Sequence, residues 1–167
     1  MINMKILDSL QIKNKIQRMA YEIAESNFDF DKIYFLGINN NGYNFAQMLK
    51  KSLESICDIE TKLARITLKP QDPVNNDIVV DIDEKELNGQ TIIVVDDVAN
   101  TGRTLFYAMK VLMNITPLVI ETAVLVDRMH KSFPIKINYV GLSFATTIQD
   151  NILVDLDKSG KENVKLV

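Results

Sequence analysis

Cysteine is nearly absent from this chain of 167 residues: Cys57 stands alone, as does His130, and there is no tryptophan. A single cysteine cannot close an internal disulfide, so a reducing compartment is the simplest setting and the cytoplasm is expected. One cysteine and one histidine also exclude an ordinary His/Cys zinc site. Any metal should then be a hard cation bound through oxygen, with magnesium on a phosphate as the leading case. Proline and glycine are sparse, at four and six residues. No internal repeat or low-complexity linker interrupts the chain. No apolar run approaches membrane-spanning length, and residues 1–8 lack the layout of a secretory leader, so no membrane partner is expected. Positive charge is not in excess either: 19 Lys and Arg face 22 Asp and Glu, a formal net charge of -3. That balance argues against a protein whose main work is gripping nucleic acid, although a local basic face survives such an average.

What is present suits one globular unit. Hydrophobic residues make up 47% and charged residues 25%, ordinary proportions for a packed soluble domain. The length suffices for a single well-buried core, so one domain over residues 1–167 is expected. Ile12, Ile16, Met19, Ala20, Ile23 and Ala24 trace one face of a helix, with Asp8 or Ser9 as its N-cap. Residues 32–38, KIYFLGI, have the character of a core strand and run into the turn formers Asn39, Asn40, Asn41 and Gly42. A second helix follows over 43–56. Further strands are expected at 59–68, 78–82, 91–95, 119–126, 135–140 and 152–156, with a polar tail at 157–163. Alternating strands and helices predict an α/β fold, a doubly wound and mostly parallel sheet flanked by helices. Ligands in such folds bind at the carboxyl ends of the strands.

Residues 91–105, TIIVVDDVANTGRTL, organise the rest. A continuous Ile/Val run reads as a strand buried on both faces. It ends in two carboxylates, Asp96 and Asp97. Beyond a short turn, Asn100, Thr101, Gly102, Arg103 and Thr104 precede Leu105, Ala108, Met109 and Leu112 at helical spacing. A strand-to-helix turn offers free backbone N–H groups, and Gly102 lets the chain pass close to a ligand, which together suit a phosphate. The paired aspartates would repel that phosphate and suit hydroxyl groups instead, because an ionised carboxylate accepts several hydrogen bonds. Phosphate on one side and a diol on the other describe a ribose 5-phosphate.

The run V-V-D-D-V-A-N-T-G-R-T resembles the phosphoribosyl pyrophosphate (PRPP) motif of the type I phosphoribosyltransferases. The resemblance implies that Asp96 and Asp97 hold the ribose hydroxyls, with Mg2+ bridging diol and pyrophosphate, so that their contact with the metal is indirect. It implies that Asn100, Thr101, Gly102, Arg103 and Thr104 wrap the 5-phosphate. Asn39, Asn40, Asn41 and Gly42 resemble the family's pyrophosphate loop, with Asn41 where related proteins commonly carry a basic residue. Residues 69–76 fall where the family has a flexible loop, and Lys69 is its candidate for reaching pyrophosphate.

Farther on, 125–130 (LVDRMH), Pro134-Ile135, Tyr139-Val140-Gly141 and Thr146-Thr147 resemble the pyrimidine-operon attenuators that double as uracil phosphoribosyltransferases (PyrR-type). Together the likeness covers about residues 4–157. It implies the type I fold with a small C-terminal hood, PRPP and a nucleobase as substrates, and a homo-oligomer of at least two subunits. It also implies that Tyr139 stacks on the base while Val140 offers backbone hydrogen bonds. The 6-oxopurine transferases carry a carboxylate before the T-G of the motif. Asn100 cannot act as a base, which places uracil ahead of hypoxanthine or guanine. The expected reaction transfers ribose 5-phosphate from PRPP to uracil, giving UMP and pyrophosphate. The alternatives are a 6-oxopurine transferase, a transferase with little turnover, and an RNA-binding regulator using Arg128-Met129-His130-Lys131. Tyr21 counts against the last, standing where the regulator's first helix typically has histidine.

Overall fold

A computed structural model describes residues 4–145, 151–157 and 160–167. The chain runs β1 (Met4–Leu7), α1 (Ser9–Ser26), β2 (Lys32–Ile38), α2 (Asn39–Glu54), β3 (Glu60–Thr67) and β4 (Val79–Val80). It continues through β5 (Thr91–Ala99), α3 (Arg103–Ala108), β6 (Val119–Asp127), β7 (Tyr139–Ser143), β8 (Ile152–Asp155) and β9 (Asn163–Leu166). Six strands form the main sheet in the order β4-β3-β2-β5-β6-β7. Only β4 is antiparallel, against β3; the other pairings are parallel. The doubly wound α/β expectation holds.

Local chemistry explains the elements. Asp8 caps α1 by accepting from Gln11 N at 2.8 Å, while the Gln11 side chain accepts from Asp8 N at 2.9 Å. This reciprocal box satisfies two otherwise orphaned donors. Strand residues split by parity: Ile33, Phe35, Ile93 and Val95 pack beneath α1 and α2. Tyr34, Leu36, Ile92 and Val94 pack on the opposite face with Leu105, Ala108 and Leu112. β2 and β5 are thus buried on both sides, which is why each lacks a polar stripe.

The hood differs from expectation in its membership. It is an antiparallel sheet, β1-β9-β8, joining both ends of the chain. Val164 and Leu166 are buried, so the polar tail gives way to a strand that pairs Met4 with Leu166. Four-residue strands carry too little alternation to be read locally. Glu162 ties the hood to α1 by accepting from the Ser9 hydroxyl and from Gly160 N. Burial pushes its carboxyl up, but these hydrogen bonds leave it below the usual range. Three other boundaries also move. Asn39–Gly42 is the first turn of α2, 78–82 contributes only Val79–Val80, and β7 begins at Tyr139 where the pattern had a strand ending. Thr146 and Thr147 lie outside the described residues.

Candidate functional site

The carboxyl ends of β2, β5 and β6 meet at one rim. There a cavity of about 270 Å³ is lined by residues 96–105 of the β5–α3 segment together with Ile152 of β8. Asp96 and Asp97, Asn100, Thr101, Gly102, Arg103 and Thr104 therefore share one hollow, as their order in the chain implied.

The two carboxylates are not equivalent. Asp96 is buried, with 7% of its surface exposed, and its Oδ1 accepts from Asp97 N at 2.9 Å. Burial, and then the charge of Asp97, hold its carboxyl well above the usual carboxylate range. Asp97 is half-buried, and its Oδ2 accepts from Asn41 Nδ2 at 2.9 Å. Across 56 positions of sequence, the uncharged Asn41 amide thus donates to the acid pair. The buried acid and its more exposed neighbour present their oxygens side by side, an arrangement that suits the two hydroxyls of a diol.

Glycines bring these elements together. A Cβ on Gly42 would lie 2.7 Å from the Val95 carbonyl oxygen and 3.2 Å from Asp96 Cα. A Cβ on Gly37 would lie 2.4 Å from Tyr43 Cα. Only hydrogen at both positions lets the start of α2 sit against the β5 tip. Asn39 adopts φ +52°, left-handed backbone that is uncommon outside glycine. It is held there as its Oδ1 accepts from Leu68 N at 3.0 Å. Strain of this kind collects at ligand-binding turns. Asn40 is exposed on the same turn. Lys69, exposed, starts the loop that leaves β3 beside Asn39.

In the phosphate turn, Gly102 adopts φ +83°. Thr101 Oγ1 accepts from Arg103 N at 3.3 Å. α3 has only six residues, so the turn offers bare amides rather than a long helix dipole. The Arg103 guanidinium lies 5.9 Å from the Tyr107 ring centroid.

Two assigned residues are not brought to this rim. Tyr139 opens β7 in register with Ala123 and is 4% exposed. Its hydroxyl donates to Glu121 Oε2 at 2.8 Å and accepts from Asn27 Nδ2 at 3.0 Å. Burial pushes its phenol up to about 12. Tyr139 thus sits in the core, its hydroxyl tied to Glu121 and Asn27. The Val140 carbonyl accepts from Arg18 Nη2 at 2.9 Å and is likewise engaged elsewhere.

Sequence reasoning missed three residues. Ile152 is the apolar wall of the cavity, contributed by the hood. Lys131 turns inward, pairing with Asp127 and donating to the Asn100 carbonyl at 3.2 Å. Arg65 lies 4.2 Å from the Tyr43 ring centroid, with its Nε buried and lacking a hydrogen bond. Its strand, ETKLARIT, also carries Glu60 and Lys62, so nothing in the sequence set Arg65 apart. The Arg128–Lys131 cluster is not a solvated basic face, because Arg128 is 5% exposed and Lys131 is ion-paired.

Among the described residues no three His, Cys, Asp or Glu side chains converge to cage a metal. Asp96 and Asp97 supply oxygen alone, a donor set that fits a hard divalent cation completed by substrate oxygens.

Known proteins share this architecture. The phosphoribosyl transferase domain model matches residues 3–157. A bifunctional protein PyrR of Streptococcus uberis is 33% identical over 169 residues, covering 98% of this chain and 96% of that protein. One from Enterococcus faecalis is 33% identical over 164 residues, covering 92% and 90%. A hypoxanthine phosphoribosyltransferase of Trypanosoma cruzi superposes with a TM-score of 0.77 at 17% identity, covering 97% and 94%. A hypoxanthine-guanine phosphoribosyltransferase of Bacillus anthracis gives 0.73 at 18%, covering 92% and 88%. Matched nearly end to end by the domain model and by relatives at one-third identity, the chain belongs to the phosphoribosyltransferase family, on the side of the PyrR proteins.

Proposed function

We propose that this protein transfers the 5-phosphoribosyl group of PRPP to N1 of uracil, releasing pyrophosphate. The observation that carries the proposal is one cavity in which an acid pair adjoins a turn of bare amides. Residues 1–167 act as one domain. The amides and hydroxyls of Asn100, Thr101, Gly102, Arg103 and Thr104 bind the 5-phosphate. Asp96 and Asp97 take the ribose hydroxyls from the other side. The Asn39–Gly42 turn, with Asn41 in place of a cation, and Lys69 beside it face the pyrophosphate.

In the reaction the bond from C1 to pyrophosphate oxygen breaks, its electron pair leaving with pyrophosphate. The bond from N1 to C1 forms, and the N1 proton passes to the released pyrophosphate, whose oxygens have gained the electron pair. No side chain serves as nucleophile, so catalysis rests on positioning and on charge complementary to the transition state. Mg2+, when bound, draws electron density from the pyrophosphate oxygens. Ile152 keeps water off the apolar side of the cavity.

Uracil is favoured over purines by Asn100, which cannot accept a proton from a purine ring. Steady-state assays with uracil, hypoxanthine and guanine test this reading. UMP formation should exceed both purine products; turnover of hypoxanthine or guanine alone would overturn the choice of base.

The relatives' printed name, bifunctional protein PyrR, supports a second activity, and a regulator that binds RNA is that second reading. Burial of Arg128 and pairing of Lys131 remove the basic cluster as its footing. A salt titration of binding to pyrimidine-leader RNA decides, since phosphate contacts give a steep negative slope. No described helix is long and apolar enough to cross a membrane, which agrees with a cytoplasmic enzyme. We place the chain in a homo-oligomer on the strength of its family alone.

A further inference from the structure

The phosphate turn is gripped from behind by a loop that contributes nothing to the cavity wall. In the β6–β7 loop, Arg128 N donates to Ala99 O at 3.0 Å, and Ser132 N and Phe133 N both donate to Thr101 O, at 2.9 and 3.1 Å. Between them the Lys131 ammonium donates to Asn100 O at 3.2 Å. Three successive carbonyls, of Ala99, Asn100 and Thr101, are therefore turned toward one loop.

A trans peptide is planar, with its C=O and N–H pointing in opposite directions. Holding those three carbonyls fixes the N–H groups of Asn100, Thr101 and Gly102 on the far side. The cavity lies on that side, because its wall is made of residues 96–105 and Ile152, with no residue from the β6–β7 loop. The middle peptide, Asn100–Thr101, differs from the other two in being held by a charge. Its carbonyl accepts from an ammonium, which polarises the peptide and strengthens Thr101 N–H as a donor.

Lys131 is itself anchored. Its ammonium pairs with the Asp127 carboxylate at the end of β6, and both side chains are mostly buried, at 23% and 17% exposure. Asp127 is steadied in turn by Met129 N at 3.2 Å. The stem of Lys131 packs on Gly102, where an added Cβ would come within 3.3 Å of Lys131 Cδ.

We propose that Lys131 is a positioning residue for the 5-phosphate site, orienting and polarising the Asn100–Thr101 peptide so that Thr101 N–H meets the phosphate. It touches no substrate and acts through the backbone. The inference rests on the phosphoribosyl reading above and adds to it a residue of the β6–β7 loop.

The test titrates ribose 5-phosphate into wild type, Lys131→Met and Lys131→Arg by calorimetry, with the Thr101 amide followed by NMR and PRPP kinetics run alongside. Loss of one charged hydrogen bond predicts a roughly tenfold weaker Kd and a matching rise in KM for PRPP in Lys131→Met. Turnover should stay within about threefold, since uniform binding is what is lost. The Thr101 amide proton should move upfield, and Lys131→Arg should restore most of both effects. If Lys131→Met does not fold, Lys131→Gln is read in its place. Unchanged affinity in the variant overturns this proposal alone. A wild type that does not bind ribose 5-phosphate overturns the phosphoribosyl reading, and this proposal with it.

Discussion

Two polar clusters sit at opposite ends of the same parallel sheet. At the amino end, Tyr139, Glu121 and Asn27 satisfy one another: the phenol donates to the carboxylate, and the Asn27 amide donates to both. At the carboxyl end, Asp96 is buried against a like charge and Asn39 holds a left-handed backbone. The first cluster pairs its donors internally, leaving only the Asn27 side-chain oxygen without a partner. The second leaves acceptors and amides open, and it is costly to the folded state in proportion. An unpaired buried polar atom alone does not mark a site, since the core cluster has one in Asn27 Oδ1; a buried carboxyl beside a like charge at an open cavity does.

Substitutions should break the two clusters differently. Asp97→Asn should lower turnover by roughly two to three orders of magnitude, the scale seen for removal of a preorganised charge. Its thermal midpoint should move little, because Asp97 is only half-buried. Steady-state rates beside a melting curve check both halves, and equal UMP formation by the variant and wild type would remove the diol assignment.

Asp96→Asn should also lose activity, but it should gain stability. The carboxyl of Asp96 is held above its unfolded value of about 3.9. Below about pH 4 both states are protonated and burial brings no ionic penalty. As pH rises from there, the unfolded chain releases its proton first, and native stability falls until the folded value is passed. The variant escapes that loss, so its Tm advantage should be absent near pH 3 and grow as pH rises above about 4. A fixed advantage at every pH would contradict the burial argument.

Gly42→Ala should follow, with a stability loss of about 1–3 kcal/mol from overpacking and a drop in activity as α2 moves off the β5 tip. Tyr139→Phe should be smallest in function. Turnover should stay within about twofold while stability falls by about 1–2 kcal/mol, the amount expected when a buried hydrogen bond goes. An unchanged melting curve in that variant would contradict the contribution of the hydroxyl's bonds to Glu121 and Asn27.

The contrast also explains what the sequence could carry. Residues 91–105 were legible because the strand, the acids and the turn are contiguous, and each imposes its own residue types. The Asn41–Asp97 hydrogen bond was not, since it joins residues far apart through the packing of Gly42. Tyr139 was placed at the end of a strand because Ile135, Ile137 and Tyr139 alternate as a strand would. Ile135 and Ile137 instead pack from the preceding loop, and the strand that follows carries Gly141 and Ser143. Ile152 stayed hidden because its hood strand is held in place by β9, whose partner β1 lies at the other end of the chain. Lys131 was read as part of a basic loop with Arg128 and His130, and only its contacts with Asp127 and Asn100 O separate it from a solvated lysine.

A crystal soaked with PRPP and Mg2+ tests the central claim most directly. The account predicts the 5-phosphate within hydrogen-bond distance of the Thr101–Thr104 amides and the ribose diol against Asp96 and Asp97. A sugar phosphate bound anywhere else, or that cavity left empty at saturating ligand, would contradict it.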